Sequence, residues 1–271
     1  MKLSIVIPTK NESRNIARAI SSFADLVARG AGEVVVVDNF SSDGTRRLAE
    51  QAGARVFEQG PERSAQRNRG WREARGEWIL FLDADMEVPA GTLAEICTLV
   101  SEGAYDALYV RETRCGGGFR TKVRNFERAF YDRTCIDGLR VVRKELLARV
   151  GGYDENLTAC EDWDLDHRLL DAGARVTLTR GDLFHHEEEL TFRKLLAKKR
   201  YYSGTVDAYR RKWPADDPAV RRQFSPWYRF AGVFLEHGKW KRVLRHPVLF
   251  AAVLFERVAV GFVYLCNRRT R

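Results

Sequence analysis

The sequence predicts an α/β fold: a mostly parallel sheet with helices on both faces, followed by a basic amphipathic helical extension at the C-terminus. Three observations predict it. Short apolar, β-branched runs alternate with stretches of helical spacing over residues 3–82. The early runs end in polar clusters, and in open α/β sheets the carboxyl ends of the strands face the ligand. Charge is divided along the chain: residues 193–271 hold 19 Lys and Arg against 5 Asp and Glu, a net of +14, and the remainder carries −5 of the total +9. The 271 residues suit one large domain or one domain with an appendage. The expected division is an α/β domain over 1–190 and a basic helical region over 191–271.

Leu3–Ile7 is the first β-rich run, closed by Pro8-Thr9-Lys10-Asn11-Glu12. Residues 13–28 place Ile16, Ala19, Ile20, Phe23, Leu26 and Val27 at helical spacing, with Ser13 as a candidate cap. Residues 33–37 form the second run, closed by Asp38–Gly44, so the opening reads β-α-β. A helix over Thr45–Ala52, a strand at Arg55–Phe57 and a basic helix over 64–75 lead to Trp78–Leu82. That run is apolar throughout, as strands covered on both faces are. Beyond it the pattern is less regular: helix 93–100, strand 107–110, helix 121–133, strand 138–142, acidic helix 161–171 and strand 176–178 before His185-His186. Gly116-Gly117-Gly118 marks a loop without phosphate-binding spacing. From 191 onward the chain is basic, aromatic and helical. Pro247–Cys266 is two apolar nonamers split by Glu256-Arg257, which suits a helix lying in a membrane interface better than one crossing it. A helix docked on the protein or on a second copy is the plainer alternative.

Chemistry concentrates at the strand ends. Asp83 and Asp85 stand two positions apart after the central strand, on one side if the backbone stays extended. Hard divalent cations take such oxygens and leave positions for substrate phosphates. Asp83-Ala84-Asp85 is therefore a candidate metal–diphosphate site; an acidic turn after a strand is the bland reading. Asp38 suits a ribose hydroxyl or a base N–H. Asp43 reads as the cap of the next helix. Arg67 either pairs with a diphosphate or faces solvent. The carboxylates of Glu161–Asp166 either complement a helix dipole or include a general base. Trp163 offers an apolar wall for a sugar. His185 or His186 offers a third metal ligand.

Read in order, Ser4–Glu12, Val34–Thr45, Gly76–Asp85, Val150–Glu155 and Glu161–Leu165 resemble the family 2 glycosyltransferases, five motifs over roughly residues 1–205. The resemblance implies a Rossmann-like sheet of the glycosyltransferase A type, a UDP- or GDP-linked sugar donor and inversion at the anomeric carbon. It implies that Pro8, Thr9, Asn11, Glu12 and Asp38 frame the base and ribose. Asp83 and Asp85, flanking Ala84, would hold Mg²⁺ or Mn²⁺ on the diphosphate, with His185 completing the metal site. Asp162, between Glu161 and Trp163 along the donor-facing segment, would be the base that takes the acceptor proton. Unlike the processive members, the chain has no Gln-x-x-Arg-Trp and no long membrane spans, which favours addition of a single sugar. The basic, apolar tail over 240–271 suggests peripheral membrane contact and a lipid-linked acceptor, ahead of a polyprenyl phosphate or a soluble small molecule.

Other features narrow the classes. Five scattered cysteines without a CxxC pair argue for reduced thiols over disulfides or zinc. The lack of a signal-like start or a spanning run leads to the expectation of a cytoplasmic enzyme, peripheral on the membrane face. A nucleotidyltransferase would want a glycine-rich phosphate loop where this chain has Pro8–Glu12, and a non-catalytic relative would be expected to lose carboxylates that are all present. The basic tail carries no nucleic-acid recognition motif.

Overall fold

The computed structural model describes residues 2–186, 196–197 and 205–269, with side chains to 262. Apart from residues 196–197, the beginning of the helical region expected from 191 onward lies outside the described residues as far as 204, as does the Cys266 side chain. The chain divides into two compact units: Met1–Thr113 with Gly138–Glu155 and Asp164–His186, and Arg114–Asp137 with Asn156–Trp163 and Glu187–Arg271. The second unit thus gathers two internal segments as well as the C-terminal region.

The first unit is built on an eight-stranded sheet. Its strands are β1 (Leu3–Thr9), β2 (Gly32–Asp38), β3 (Arg55–Glu58), β4 (Trp78–Phe81), β5 (Met86–Glu87), β6 (Ala107–Arg114), β7 (Val141–Arg143) and β8 (Val176–His185). They lie in the order β3-β2-β1-β4-β7-β6-β8-β5. The first four are parallel, and Leu3 is level with both Gly32 and Trp78, so their carboxyl ends share one edge. The sheet then turns antiparallel: β4 pairs β7, β7 pairs β6, and β5 pairs β8 with Met86 opposite His185. This antiparallel half adds to the α/β layer expected from the sequence. The short strand expected at 176–178 is a ten-residue strand, Val176–His185.

Side chains alternate between the faces, and each face has its own core. Ile5, Ile7, Val34, Val36, Leu80 and Leu108 pack with Ile16, Ile20, Phe23 and Ile96. Val6, Val35, Val37, Ile79, Phe81 and Tyr109 pack with Trp71, Leu147, Leu165 and Leu169. The helices concerned are α1 (Ile16–Ser21), α2 (Ala24–Ala28), α3 (Thr45–Gln51), α4 (Arg63–Glu73), α5 (Ala90–Glu102), α6 (Phe119–Arg128), α7 (Lys144–Val150) and α8 (Glu161–Asp171); α6 belongs to the second unit. Helix α4 lies close on β1 because residue 70 is glycine: a Cβ there would stand 2.2 Å from Val6 Cγ1.

Two local expectations change. The helix expected over 13–28 is two helices, broken where Phe23 leaves helical geometry (φ −113°, ψ 6°). Ser13 does not cap it; its N–H donates to Asp43 Oδ2 at 3.1 Å. Asp43 also accepts from the Thr45 N–H and hydroxyl at the head of α3, while Gly44 takes the cap position in the left-handed region (φ 85°). These bonds hold the Asp43 carboxyl down at about 2, the Thr45 hydroxyl contributing most.

In the second unit Val123, Phe126, Phe130, Tyr228, Val233, Phe234 and Val253 form one core. Helices Val206–Lys212, Pro218–Phe224, Trp240–Arg245 and Pro247–Arg269 fulfil the helical expectation for the C-terminal region. Cys97, Cys115, Cys135 and Cys160 are all free thiols. Among the described residues no helix is long and apolar enough to cross a membrane.

Candidate active site

The loops after β1 and β2 fold onto each other through side chains. Asp38 is buried, and its carboxylate accepts from the Ser41 N–H (2.7 Å) and hydroxyl (2.5 Å). The Asn11 N–H donates to Ser41 Oγ at 2.8 Å, and Asn11 Oδ1 accepts from the Ser42 N–H at 3.0 Å. The Glu12 N–H donates to Thr45 Oγ1 at 2.8 Å, and Asn15 bonds the Glu12 carboxylate at 2.8 Å. Asn11 (φ 55°) and Phe40 (φ 49°) both adopt the left-handed region, which is costly for side-chain-bearing residues and concentrates at functional loops. Pro8 is buried within β1, and Thr9 ends the strand level with Asp38. Gln66, which pattern reading missed, donates from α4 to the Thr9 carbonyl (3.0 Å) and the Val37 carbonyl (2.7 Å), clamping the two strand ends.

Next along the same edge, Asp83 meets two arginines. Arg67, 2% exposed, bonds Asp83 Oδ1 at 3.1 Å, so the solvent-facing reading of Arg67 is overturned. Arg140 lies 3.5 Å from Asp83 Oδ2 and 3.3 Å from Glu112. Burial works to raise the Asp83 carboxyl, but Arg67, Arg140 and Arg63 outweigh it and hold the group far below the usual carboxylate range. Ala84 is buried between the two aspartates.

Asp85 faces the antiparallel half. Its Oδ2 lies 3.1 Å from His185 Nε2, and His185 Nδ1 lies 2.8 Å from Glu112 Oε1. Burial would lower the imidazole, yet the bonds to Asp85 and Glu112 dominate and raise it to about 9. The antiparallel register of β5 with β8 thus separates the two histidines: His185 turns to Asp85 and Glu112, while His186 pairs with Glu87 at 3.1 Å. Glu112 and Arg140 were not singled out from sequence. A faint signal existed for Glu112, which continues the face of Leu108 and Val110 along an alternating strand.

Helix α8 forms over the expected residues, and its carboxylates separate by role. Asp164 is buried and accepts from Arg168 Nε (2.9 Å), one turn later; Asp166 accepts from Tyr109 at 2.8 Å. Both serve packing. Glu161, Asp162 and Trp163 belong to the second unit. There Glu161 is buried and Asp162 half-buried, while Trp163 packs edge-on against Tyr209 and Phe224 at 6.3 and 6.2 Å.

Among the described residues no three His, Cys, Asp or Glu side chains group as a metal cage. Asp85 and His185 do bring an oxygen and a nitrogen to within 3.1 Å of each other. A nitrogen and an oxygen donor converge, and the second imidazole nitrogen is anchored by a carboxylate, as metal-ligating histidines usually are.

A sheet that is parallel on one side and antiparallel on the other, with aspartates at the central carboxyl edge, belongs to the glycosyltransferase A-type architecture. The glycosyl transferase family 2 model matches residues 4–152, and the chain belongs to that family. A PGL/p-HBAD biosynthesis glycosyltransferase of Mycobacterium bovis is 30% identical over 194 residues, covering 64% of this chain and 72% of the relative. A dolichol-phosphate mannosyltransferase of Pyrococcus furiosus is 26% identical over 156 residues, covering 55% and 42%. Among solved structures, mannosyltransferase PcManGT from Pyrobaculum calidifontis in complex with GDP-Man and Mn²⁺ aligns at TM-score 0.61 with 21% identity, covering 99% of this chain and 86% of that one. S. aureus TarS 1-349 in complex with UDP-GlcNAc aligns at 0.59 with 21% identity, covering 96% and 81%.

Proposed function

We propose that this glycosyltransferase moves one sugar, with inversion, from a UDP- or GDP-sugar to a hydroxyl of a lipid-linked acceptor. The observation that carries the donor half is the strand-edge cluster in which Asp85 meets His185 and Asp83 meets Arg67 and Arg140. The cluster suits a diphosphate. Arg67 and Arg140 supply guanidinium groups that match phosphate oxygens, and Asp85 and His185 supply donors that suit Mg²⁺ or Mn²⁺, with Asp83 as the third. The cation would neutralise charge on the departing diphosphate. The loops around Thr9, Asn11, Glu12 and Asp38 frame the nucleoside. The Thr9 hydroxyl, buried and without a hydrogen-bond partner among the described residues, is available to it. Asp162 takes the proton from the acceptor hydroxyl as the new glycosidic bond forms opposite the leaving group.

The names of similar proteins support the reading: one solved neighbour is bound to GDP-Man and Mn²⁺, another to UDP-GlcNAc, and one relative is a dolichol-phosphate mannosyltransferase. The test is a panel of UDP- and GDP-sugars with Mn²⁺ or Mg²⁺, read by thermal shift and by slow release of free nucleotide. One donor should stabilise the protein, Asp85→Ala should abolish the shift, and Asp162→Asn should keep the shift while losing turnover by about 10²–10⁴-fold. The absence of a shift with every donor would overturn the proposal.

A further inference from the structure

The pair Glu256-Arg257 interrupts the last apolar stretch, but the fold turns both charges onto α6. Arg257 Nε lies 2.8 Å from Glu127 and its Nη2 donates to the Tyr131 hydroxyl at 2.7 Å. Glu256 lies 3.9 Å from Arg120. Glu127 and Arg120 both come from α6, against which the helix Pro247–Arg269 packs. Val253 is buried on that side, with Leu249 and Phe250 packed beside it. The opposite face is left without charge. Val248, Ala251, Phe255, Val258 and Phe262 follow one another at steps of three and four residues, all exposed, with Phe255 and Phe262 each 68% accessible. Leu244 and Trp240 continue the exposed apolar surface on the preceding helix, interleaved with exposed Lys241, Arg242 and Arg245.

We infer that this face lies in the headgroup boundary of an anionic bilayer, with Phe255 and Phe262 inserted and Lys241 and Arg245 on the lipid phosphates, while Arg242 is held by the Ala129 carbonyl and the Phe130 ring. A large apolar face beside a basic cluster is what binds helices to such surfaces. Steps of three and four would also suit a two-stranded seam with a second copy. Such a seam is normally flanked by charged residues, and between residues 247 and 262 the only charges are Glu256 and Arg257, both engaged by α6. The surface is independent of the donor chemistry proposed above.

The test is co-sedimentation of the full-length protein with phosphatidylcholine vesicles, with and without about a third of phosphatidylglycerol. The protein should pellet with the anionic vesicles. Phe255→Asp/Phe262→Asp should cut the bound fraction about tenfold, and Lys241→Ser/Arg245→Ser should remove the preference for anionic lipid. A nucleotide-sugar thermal shift in lipid-free buffer shows that each variant is folded and reads the donor claim separately. Wild-type protein left in the supernatant with both vesicles would overturn the inference, as would a double Asp variant that pellets like wild type. A lipid-free dimer that the double Asp variant abolishes would assign the face to a second copy and likewise overturn it.

Discussion

The two halves of the sheet furnish the site in different ways. The parallel half, β3-β2-β1-β4, delivers its residues from short continuous motifs at strand ends: Thr9–Glu12, Asp38–Thr45 and Asp83–Asp85. The antiparallel half, β7-β6-β8-β5, delivers single residues from distant positions. His185 lies 100 residues from Asp85 in sequence and 73 from Glu112. The first half sets out carboxylates and the second sets how those carboxylates are partnered. Two of the carboxylates visible as motifs thus gain partners from this half: Arg140 lies 3.5 Å from Asp83 and His185 lies 3.1 Å from Asp85.

The sharpest way to break this comparison is to remove one residue from each side. Asp85→Ala should cost turnover about 10³-fold, the scale of losing one electrostatic partner of the leaving group, measured as transfer or donor hydrolysis. A loss under tenfold would mean that the strand-end carboxylates are not where the reaction is driven. Glu112→Gln should act through His185 and weaken Mn²⁺ binding about 10–100-fold. Calorimetry without donor reads this directly, and unchanged affinity would leave Glu112 with a packing role only.

Gly70→Ala tests the scaffold of the parallel half. The new Cβ meets Val6 inside a filled core, and the expected cost is about 2 kcal/mol in urea unfolding. A neutral result would show that α4 can lift from β1.

The smallest effects are in pH dependence, and they differ in sign between the halves. In the parallel half Glu33 is opposed by burial, but the Arg75 N–H, Arg55 and Ser4 hold its carboxyl below the usual value. Its stabilisation is present above the unfolded carboxylate value and is lost as pH falls through the lower folded one. In the antiparallel half His185, raised from 6.5 to about 9 between Asp85 and Glu112, stabilises fully below 6.5 and loses that contribution as pH rises through about 9. In chelator-treated protein, Glu33→Gln should flatten only the acid limb of the urea midpoint and His185→Gln only the alkaline limb. An alkaline limb identical in wild type and His185→Gln would remove His185 as its source.

How much was legible in the sequence follows the same division. The alternation of β-rich runs with helical spacing located β1 to β4 and α3 to α5 to within a few residues; β1, β2 and β4 are buried along their length and largely apolar, whereas β3 at the sheet edge is partly exposed. The helix at 161–171 was legible with its bounds, although its carboxylates could not be sorted. Asp164 and Asp166 are spent on Arg168 and Tyr109, and nothing local to 161–166 shows that. The antiparallel pairing was not legible, since β7 is three residues long and β5 two. Arg140 depends on that register, Glu112 gave only a faint signal in its alternating strand, and the preference for His185 over His186 came from the family resemblance and not from the residues alone. Trp163 was open to a sugar-wall reading because an aromatic residue beside carboxylates looks the same in sequence whether it packs on Tyr209 or on a ligand.

Arg140 lies between Asp83 and Glu112, Glu112 holds His185, and His185 reaches Asp85. The two aspartates, one residue apart along the backbone, are thus also joined the long way round through three side chains, and the chain of contacts closes into a ring. Energies in a closed ring are shared. Removing Glu112 releases both Arg140 and His185, so a second substitution at either of them finds less left to lose. A series of single substitutions here would count the same interaction more than once, and only paired substitutions would reveal how much stabilisation the ring holds as a unit.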